Sequence, residues 1–173
     1  IAPEENGAIE LISHLKNLGI VSSAGHCDAG YNFIDEAQKN GLSCITHTFN
    51  AQRGIHHREI GTAGAGLLLD DIYCEAICDG RHLHPGTVRL LIKTKGIEKV
   101  VAITDSIMAA GLPDGNYKLG INDVVVEDGD ESEQGEFMLT TVLMGKANVF
   151  SYLLAKVKDY YYIYKEEDIR QED

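Results

Sequence analysis

The fold is decided by residues 20–50, which read IVSSAGHCDAGYNFIDEAQKNGLSCITHTFN. Two short apolar runs in this stretch have the continuous character of parallel strands that are covered on both faces. Between them lies YNFIDEAQKNG, a helical segment that Gly41 terminates. His26 follows the first run, and His47 lies near the end of the second. The stretch therefore predicts a strand, a helix and a second parallel strand, with a histidine at each strand end.

The same alternation of helix and strand continues on both sides of this unit. Residues 4–19 space their apolar side chains at helical intervals, and residues 85–96 open with a proline suited to a first helical turn. The apolar runs IYCEAICD (72–79) and KVVAITD (99–105) predict two more strands. A long polar loop, NAQRGIHHREIGTAG, separates the second strand from the third. The pattern predicts an α/β fold with four successive βα units.

The alternation of helical and strand patterns ends after residue 112. Residues 113–130 combine turn formers with two short strand-like runs, which predicts a β-hairpin. Residues 131–173 are expected to form an acidic loop, a C-terminal helix within 140–158 and a charged, tyrosine-rich tail. We therefore expect three segments: 1–112, 113–130 and 131–173.

Composition excludes several classes of function. The 173 residues carry a formal net charge of −12, and so acidic a chain argues against a nucleic-acid partner. No run approaches the ~20 apolar residues of a membrane span. The chain contains four cysteines but no CxxC pair, which favours reduced thiols and a cytoplasmic location. Cys27 and Cys44, which flank the histidines, could alternatively be soft metal ligands.

Three side chains at strand ends suggest hydrolytic chemistry. Taken alone, each of His26 and His47 is more often a structural histidine, but their matching positions at the ends of neighbouring strands favour a shared divalent ion. Asp105 closes the fourth strand, KVVAITD. It is a candidate general base towards a metal-activated water, and the alternative is a cap for a helix over SIMAAG.

Two loops gather cationic groups in this acidic protein. One is residues 53–58 (RGIHHR), and the other is residues 81–84 (RHLH). Arginine geometry matches an anionic ligand such as a phosphate, whereas the alternative is an ordinary solvated loop. The glycines of GTAGAG (61–66) lack the lysine of a phosphate-binding loop and are assigned to tight backbone packing.

Several motifs together resemble those of the N-acetylglucosamine-6-phosphate deacetylases, a family of the amidohydrolase superfamily. The matching stretches cover about residues 2–130 and read, in order, APE, AGHCDAGY, THTFNA, HHREIGTAGA, DGRHLHP, VAITDSIMAAGLPDG and YKLG. The resemblance implies the last four βα units of a (β/α)8 TIM-type barrel, followed by a short β-hairpin. It also implies a cytoplasmic homodimer or higher oligomer that converts N-acetylglucosamine-6-phosphate to glucosamine-6-phosphate and acetate in amino-sugar catabolism.

The resemblance implies a role for each candidate side chain at the reacting centre. His26 and His47 look like ligands of one divalent metal ion, which could be Zn, Fe, Ni or Co. Asp105 looks like the residue that takes a proton from water and passes it to the leaving amine.

The same resemblance suggests how the phosphorylated sugar is bound. Asn50 and Ala51 resemble a phosphate-contacting pair, and His82 resembles a histidine that holds the sugar. Arg58 resembles an arginine that binds phosphate in the neighbouring subunit's site.

Departures from the family pattern leave alternatives open. A glutamate ligand and a histidine of the family lie in a half of the barrel that this sequence lacks. After Gly129 the sequence no longer matches the family pattern. Half a barrel would have two open edges. We expect a piece of a longer protein; the alternatives are pairing with another copy or half, and rearrangement into an open sheet. The functional alternatives are a non-catalytic phosphosugar-binding or oligomerising remnant and an amidohydrolase with another amide substrate.

Overall fold

The computed structural model describes residues 1–119, 122–127, 130–133 and 136–138. The chain divides into two units, of which the first comprises residues 1–76 and 87–101 and the second comprises 77–86 and the chain from 102 onward. The helix expected within 140–158 and the tyrosine-rich tail lie outside the described residues.

Four helices and four strands alternate through residue 103. In chain order they are α1 (Ala8–Asn17), β1 (Ser22–Ala24), α2 (Tyr31–Asn40), β2 (Leu42–Ile45), α3 (Gly61–Leu68), β3 (Tyr73–Ile77), α4 (Pro85–Lys95) and, after a 3-10 turn (Ile97–Lys99), β4 (Val100–Ile103). The strands form one sheet in the order β1-β2-β3-β4. β2 pairs in parallel with both β1 and β3, which confirms the predicted α/β architecture.

The core of the first unit lies between the sheet and its helices. Ile12 of α1, Ile34 of α2 and Ile45 of β2 are fully buried, and each comes from an apolar position of the expected period. Beside β1, the first strand of the sheet, Ile20 and Val21 remain 49% and 74% exposed. These residues directly precede β1, which lies at one end of the strand order, as expected for the open edge of half a barrel.

Helix α3 was not predicted, because its sequence, GTAGAGLL, is rich in glycine, a poor helix former. Burial overrides that propensity, since residues 61–67 are all buried. A Cβ at Gly66 would lie 3.2 Å from Cγ1 of Ile45 and 3.3 Å from the Sγ of Cys74, so the glycine lets the helix approach β2 and β3 closely. The expected tight backbone packing is confirmed, but it occurs in a helix and not in a loop.

Gly61, at the start of α3, should tolerate no side chain. Its φ is +64°, and a Cβ there would lie 2.5 Å from the carbonyl oxygens of both Arg53 and Gly54. We expect Gly61→Ala to lower the free energy of unfolding by about 2–4 kcal/mol, as measured by urea denaturation. Gly54→Ala is the matched control, because a Cβ there meets nothing within 4 Å. Equal stability of the two variants would contradict the expectation.

The second unit contains an antiparallel sheet in the order β5-β6-β7-β8. Its strands are β5 (Gly115–Leu119), β6 (Asn122–Glu127), β7 (Asp130–Glu133) and β8 (Glu136–Met138). The pairing of β5 with β6 confirms the predicted hairpin, and Ala109, Val124 and Val126 form its buried cluster. The prediction of an acidic loop from residue 131 was wrong where β7 and β8 form. Backbone pairing of β7 with β6 and of β8 with β7 outweighs the low strand propensity of acidic residues.

Two further expectations can be compared with the described residues. No helix among them is long and apolar enough to cross a membrane. Directly after Asp105 the described chain forms no helix, since residues 104–107 are irregular and 108–111 form a turn, so Asp105 does not cap a helix there.

Candidate active site

Left-handed backbone marks the ends of the strands. Among the described non-glycine residues, φ is positive at His26 (49°), His47 (30°), Phe49 (81°), Ala51 (45°) and Asp105 (54°). Side-chain-bearing residues rarely adopt this conformation, and where they do it often accompanies a functional site. Four of these five residues are ones that the sequence assigned to metal binding, proton transfer or phosphate binding, so an independent backbone observation points to the same positions.

His47 is held rigidly between two strands. The backbone N–H of Thr46 donates to the Ala24 carbonyl at 2.8 Å on one side, and that of Thr48 donates to the Glu75 carbonyl at 2.8 Å on the other. The ring is almost fully buried, and its Nδ1 lies 3.1 Å from the Asn50 carbonyl oxygen. A carbonyl can only accept, so Nδ1 carries the proton and Nε2 presents a lone pair.

The ring of His26 points at Nε2 of His47. The two Nε2 atoms are 2.9 Å apart, with ring centroids separated by 4.7 Å and ring planes inclined at 79°. Gly25 permits this approach, because a Cβ there would lie only 2.7 Å from Cβ of Thr46. Since His47 Nε2 accepts, His26 Nε2–H is the donor between the rings.

The spacing of the imidazoles suits a shared divalent ion. Neutral imidazole nitrogens are common ligands of divalent ions, and the two Nε2 atoms face each other across 2.9 Å, close enough to reach one ion. The outer face of the pair is open, because His26 is exposed while His47 is buried. Within the described part of the chain, no group of three or more His, Cys, Asp or Glu side chains could hold a metal. The pair thus fits two ligands of a metal site.

The cysteines are poor candidates for further ligands. All four are free, and burial is the main reason that the pKa values of Cys44 and Cys78 rise to about 11. A thiol with such a pKa stays protonated at neutral pH, whereas metals bind the thiolate. For Cys44, one of the two candidate ligands, a buried and reduced thiol is therefore the better interpretation.

Gln52 holds the loop that follows His47. Its Nε2 lies 3.2 Å from the Thr46 carbonyl, 3.3 Å from that of His47 and 3.3 Å from that of Asn50. The side chain amide therefore fixes the backbone that turns Nδ1 of His47 towards Asn50. The sequence alone does not indicate this function, since a single glutamine in a polar loop gives no signal of it.

A second set of contacts ties the loop of residues 53–61 to α2 and α3. Arg53 binds Asp28 through two hydrogen bonds of 2.8 and 2.7 Å, and its Nη1 lies 3.3 Å from Glu59. Oε1 of Glu59 accepts from the backbone N–H of Gly61 at 2.9 Å and from that of Tyr31 at 3.3 Å. The hydrogen bond from Gly61 is the largest cause of the lowered pKa of Glu59. One carboxylate thus joins the first residues of α2 and α3 to Arg53.

Arg58 lies in a cleft of about 740 Å³ beside this network. Tyr31 and Phe33 of α2 line the cleft together with His56 and His57, whose rings are 4.1 Å apart. Among the described residues, no ion pair is formed by the exposed Arg58 guanidinium, whereas Arg53 is paired with carboxylates. Arg58 is therefore the arginine of this cleft that can receive an anion.

In the second unit, His82 is coupled to two carboxylates. Its Nδ1 lies 2.5 Å from Oδ2 of Asp79, and the hydrogen bond is the main cause of the raised pKa of His82. The charge of Asp105 also raises that pKa, which places this carboxylate within electrostatic range of His82. Two residues that the sequence singled out, His82 and Asp105, therefore interact electrostatically.

Comparisons with known proteins find similar sequences among deacetylases of sugar phosphates. An N-acetylglucosamine-6-phosphate deacetylase of Bacillus subtilis is 44% identical over 126 residues, which is 73% of this chain and 32% of that protein. The chain resembles one part of such deacetylases. An N-acetylgalactosamine-6-phosphate deacetylase of Escherichia coli O157:H7 is 38% identical over 129 residues, covering 75% of this chain and 34% of the relative. No family model matches the chain.

A solved deacetylase structure confirms the fold class. The N-acetylglucosamine-6-phosphate deacetylase of Thermotoga maritima matches 92% of this chain and 42% of its own, with a TM-score of 0.78 and 40% identity. Such deacetylases have a TIM-barrel fold, of which this chain has the α/β part with a parallel sheet. The chain spans about a third of the length of the curated deacetylases it matches.

The predicted site residues fall into three groups. His26, His47, Asn50 and Ala51 share the ends of β1 and β2 and the loop after β2. Arg58 lies in the cleft of the first unit. His82 and Asp105 lie in the second unit.

Proposed function

We propose that this chain forms part of a metal-dependent deacetylase. The enzyme hydrolyses the acetamide of N-acetylglucosamine-6-phosphate to glucosamine-6-phosphate and acetate, in amino-sugar catabolism. The observation that carries the proposal is the convergence of His26 and His47, whose Nε2 atoms are 2.9 Å apart at the ends of adjacent parallel strands. The similarity to deacetylases of 6-phosphorylated amino sugars supports the substrate class.

His26 and His47 would hold one divalent ion, namely Zn, Fe, Ni or Co. When bound, such an ion polarises the amide carbonyl as a Lewis acid and lowers the pKa of water. Asp105 accepts the proton of the attacking water and delivers it to the amine nitrogen as the C–N bond breaks, so that acetate and the amino sugar are released. The hydrogen bond from His47 Nδ1 to the Asn50 carbonyl keeps the imidazole oriented throughout.

The phosphate and the sugar are bound by the remaining residues. Asn50 and Ala51 contact the phosphate, to which Arg58 contributes a guanidinium, and His82 holds the sugar. Positive charge is required here, because a phosphate carries a high negative charge and the chain as a whole is acidic.

The proposal is tested by two assays on the purified chain with added Zn²⁺ or Co²⁺. Release of acetate from N-acetylglucosamine-6-phosphate reports hydrolysis, and calorimetry with glucosamine-6-phosphate reports binding. Release of acetate supports the deacetylase. Binding without release would instead indicate the non-catalytic remnant, and neither binding nor release would refute both.

Arg58→Ala is expected to weaken the binding of glucosamine-6-phosphate by about tenfold or more, because a charged hydrogen bond to the phosphate is lost. Binding of unphosphorylated glucosamine should not change. Arg89→Ala is the control, since this arginine of α4 is not among the residues that line the cleft. If Arg58→Ala leaves phosphosugar affinity unchanged, an amidohydrolase with another amide substrate becomes the better interpretation.

The active form is a homodimer or higher oligomer, located in the cytoplasm, in which Arg58 serves the neighbouring subunit's site. The exposure of Arg58 supports this arrangement, because an exposed guanidinium can reach a second copy. Light scattering measures the oligomeric state. Mixing Arg58→Ala with Asp105→Asn should then restore phosphosugar hydrolysis, since one site of the mixed dimer has both native residues. Absence of recovery would place Arg58 in the site of its own subunit.

A further inference from the structure

The Asp79 carboxylate is buried and fully engaged in the loop after β3. Its side chain is only 2% exposed. Oδ1 accepts hydrogen bonds of 2.8 Å from the backbone N–H groups of both Arg81 and His82. Oδ2 lies 2.5 Å from Nδ1 of His82. Burial by itself would raise the pKa of Asp79, but these three hydrogen bonds outweigh it and hold the pKa below its usual value.

An ionised Asp79 fixes the chemistry of the His82 ring. A carboxylate only accepts, so Nδ1 of His82 carries a proton, and Nε2 is the ring nitrogen left for a ligand. The backbone N–H of His82 binds the same carboxylate as its ring, so the main chain and the side chain of this residue are held by one group. His82 retains 13% side-chain exposure, which leaves part of the ring accessible.

We propose that Asp79 is a positioning residue that presents Nε2 of His82 to the phosphorylated sugar. The proposal rests on the proposed function for the identity of the ligand. Asp79 favours the imidazolium form, in which Nε2 bears a hydrogen and donates, whereas in the neutral form Nε2 accepts from a sugar hydroxyl. Sugar hydroxyl and phosphate oxygens accept hydrogen bonds, and a charged donor is stronger than a neutral one. A carboxylate that orients a histidine in this way is a recurring element of binding and catalytic sites.

The test is an imidazole nitrogen NMR titration of the whole chain, with the His82 signals assigned through His82→Gln. The wild-type chain should show neutral His82 protonated at Nδ1, with a titration midpoint above that of an ordinary histidine. Asp79→Asn keeps a carbonyl acceptor for the two backbone N–H groups but removes the charge next to Nδ1. We expect this variant to lower the midpoint of His82 and to weaken glucosamine-6-phosphate binding roughly tenfold. Asp71→Asn, at an exposed turn before β3, should change neither property.

A midpoint for His82 that is the same in Asp79→Asn and in the wild type would overturn the proposal, because a purely structural carboxylate would leave the ring's titration unmoved. If Asp79→Asn does not fold, the wild-type spectrum still decides, since a neutral His82 protonated at Nε2 is incompatible with the proposal. Failure of the wild-type chain to bind the phosphosugar would count against the proposed function. The His82 spectra would still show whether Asp79 controls the ring.

Discussion

Asp105→Asn is expected to lower the rate of acetate release by about 10²–10⁴-fold, the contribution typical of a positioned general base. The amide has the shape of the carboxylate but cannot accept the proton of the attacking water. The substitution suits the backbone, because φ at Asp105 is +54° and asparagine tolerates this left-handed conformation better than most residues. Binding of glucosamine-6-phosphate should stay within a few-fold of the wild type, because the substitution removes the proton acceptor and leaves the residues proposed to bind the phosphosugar unchanged.

The measurement compares initial rates of acetate release with calorimetric affinity for the same preparation. Asp71→Asn, the exposed control, should retain the wild-type values for both. Wild-type turnover in Asp105→Asn would show that another group carries the proton. A parallel loss of turnover and phosphosugar affinity would instead indicate that Asp105 binds the sugar.

His47→Ala is expected to abolish tight binding of a divalent metal. The wild-type chain should retain about one ion after exhaustive dialysis, whereas the variant should retain none, because loss of a direct ligand exceeds the 10–100-fold effect typical of supporting residues. His47→Asn is a second variant, better suited to the left-handed backbone at this position. Elemental analysis of each dialysed protein gives the stoichiometry.

His14→Ala is the matched control, since His14 is an exposed histidine of α1. Metal content should also fall at low pH in the wild type, because both Nε2 atoms must be free of protons to bind one ion. Equal metal content in the wild type, His47→Ala and His26→Ala would mean that the imidazole pair holds no metal and is joined only by its hydrogen bond.

Sequence reasoning located the strands and their ends well, for a definable physical reason. The apolar runs before His26 and His47 are short and continuous, and Gly41 ends α2 where expected. The convergence of the two histidines follows from parallel pairing, because the carboxyl ends of neighbouring strands lie at one edge of the sheet. Their function as metal ligands stays a prediction.

The features that could not be predicted from the sequence depend on tertiary contacts. Helix α3 forms because burial against β2 and β3 outweighs the poor helix propensity of its glycines. β7 forms through backbone pairing to β6, which acidic residues do not signal. The contacts of Asp79 with His82 and of Glu59 with Gly61 depend on loop conformations that residue type leaves undetermined.

At the strand ends, residues with left-handed backbone conformation lower the stability of the fold while carrying the side chains proposed for function. His26, His47 and Asp105 occupy conformations that glycine would adopt more easily, so replacing them by glycine would relieve local strain. Variants selected only for thermal resistance should therefore lose these side chains early, since glycine at such positions improves folding while it removes the groups proposed to act on substrate. An engineering effort that seeks a sturdier protein should hold these three positions constant and look for gains elsewhere, such as at the exposed Ile20 and Val21 before β1.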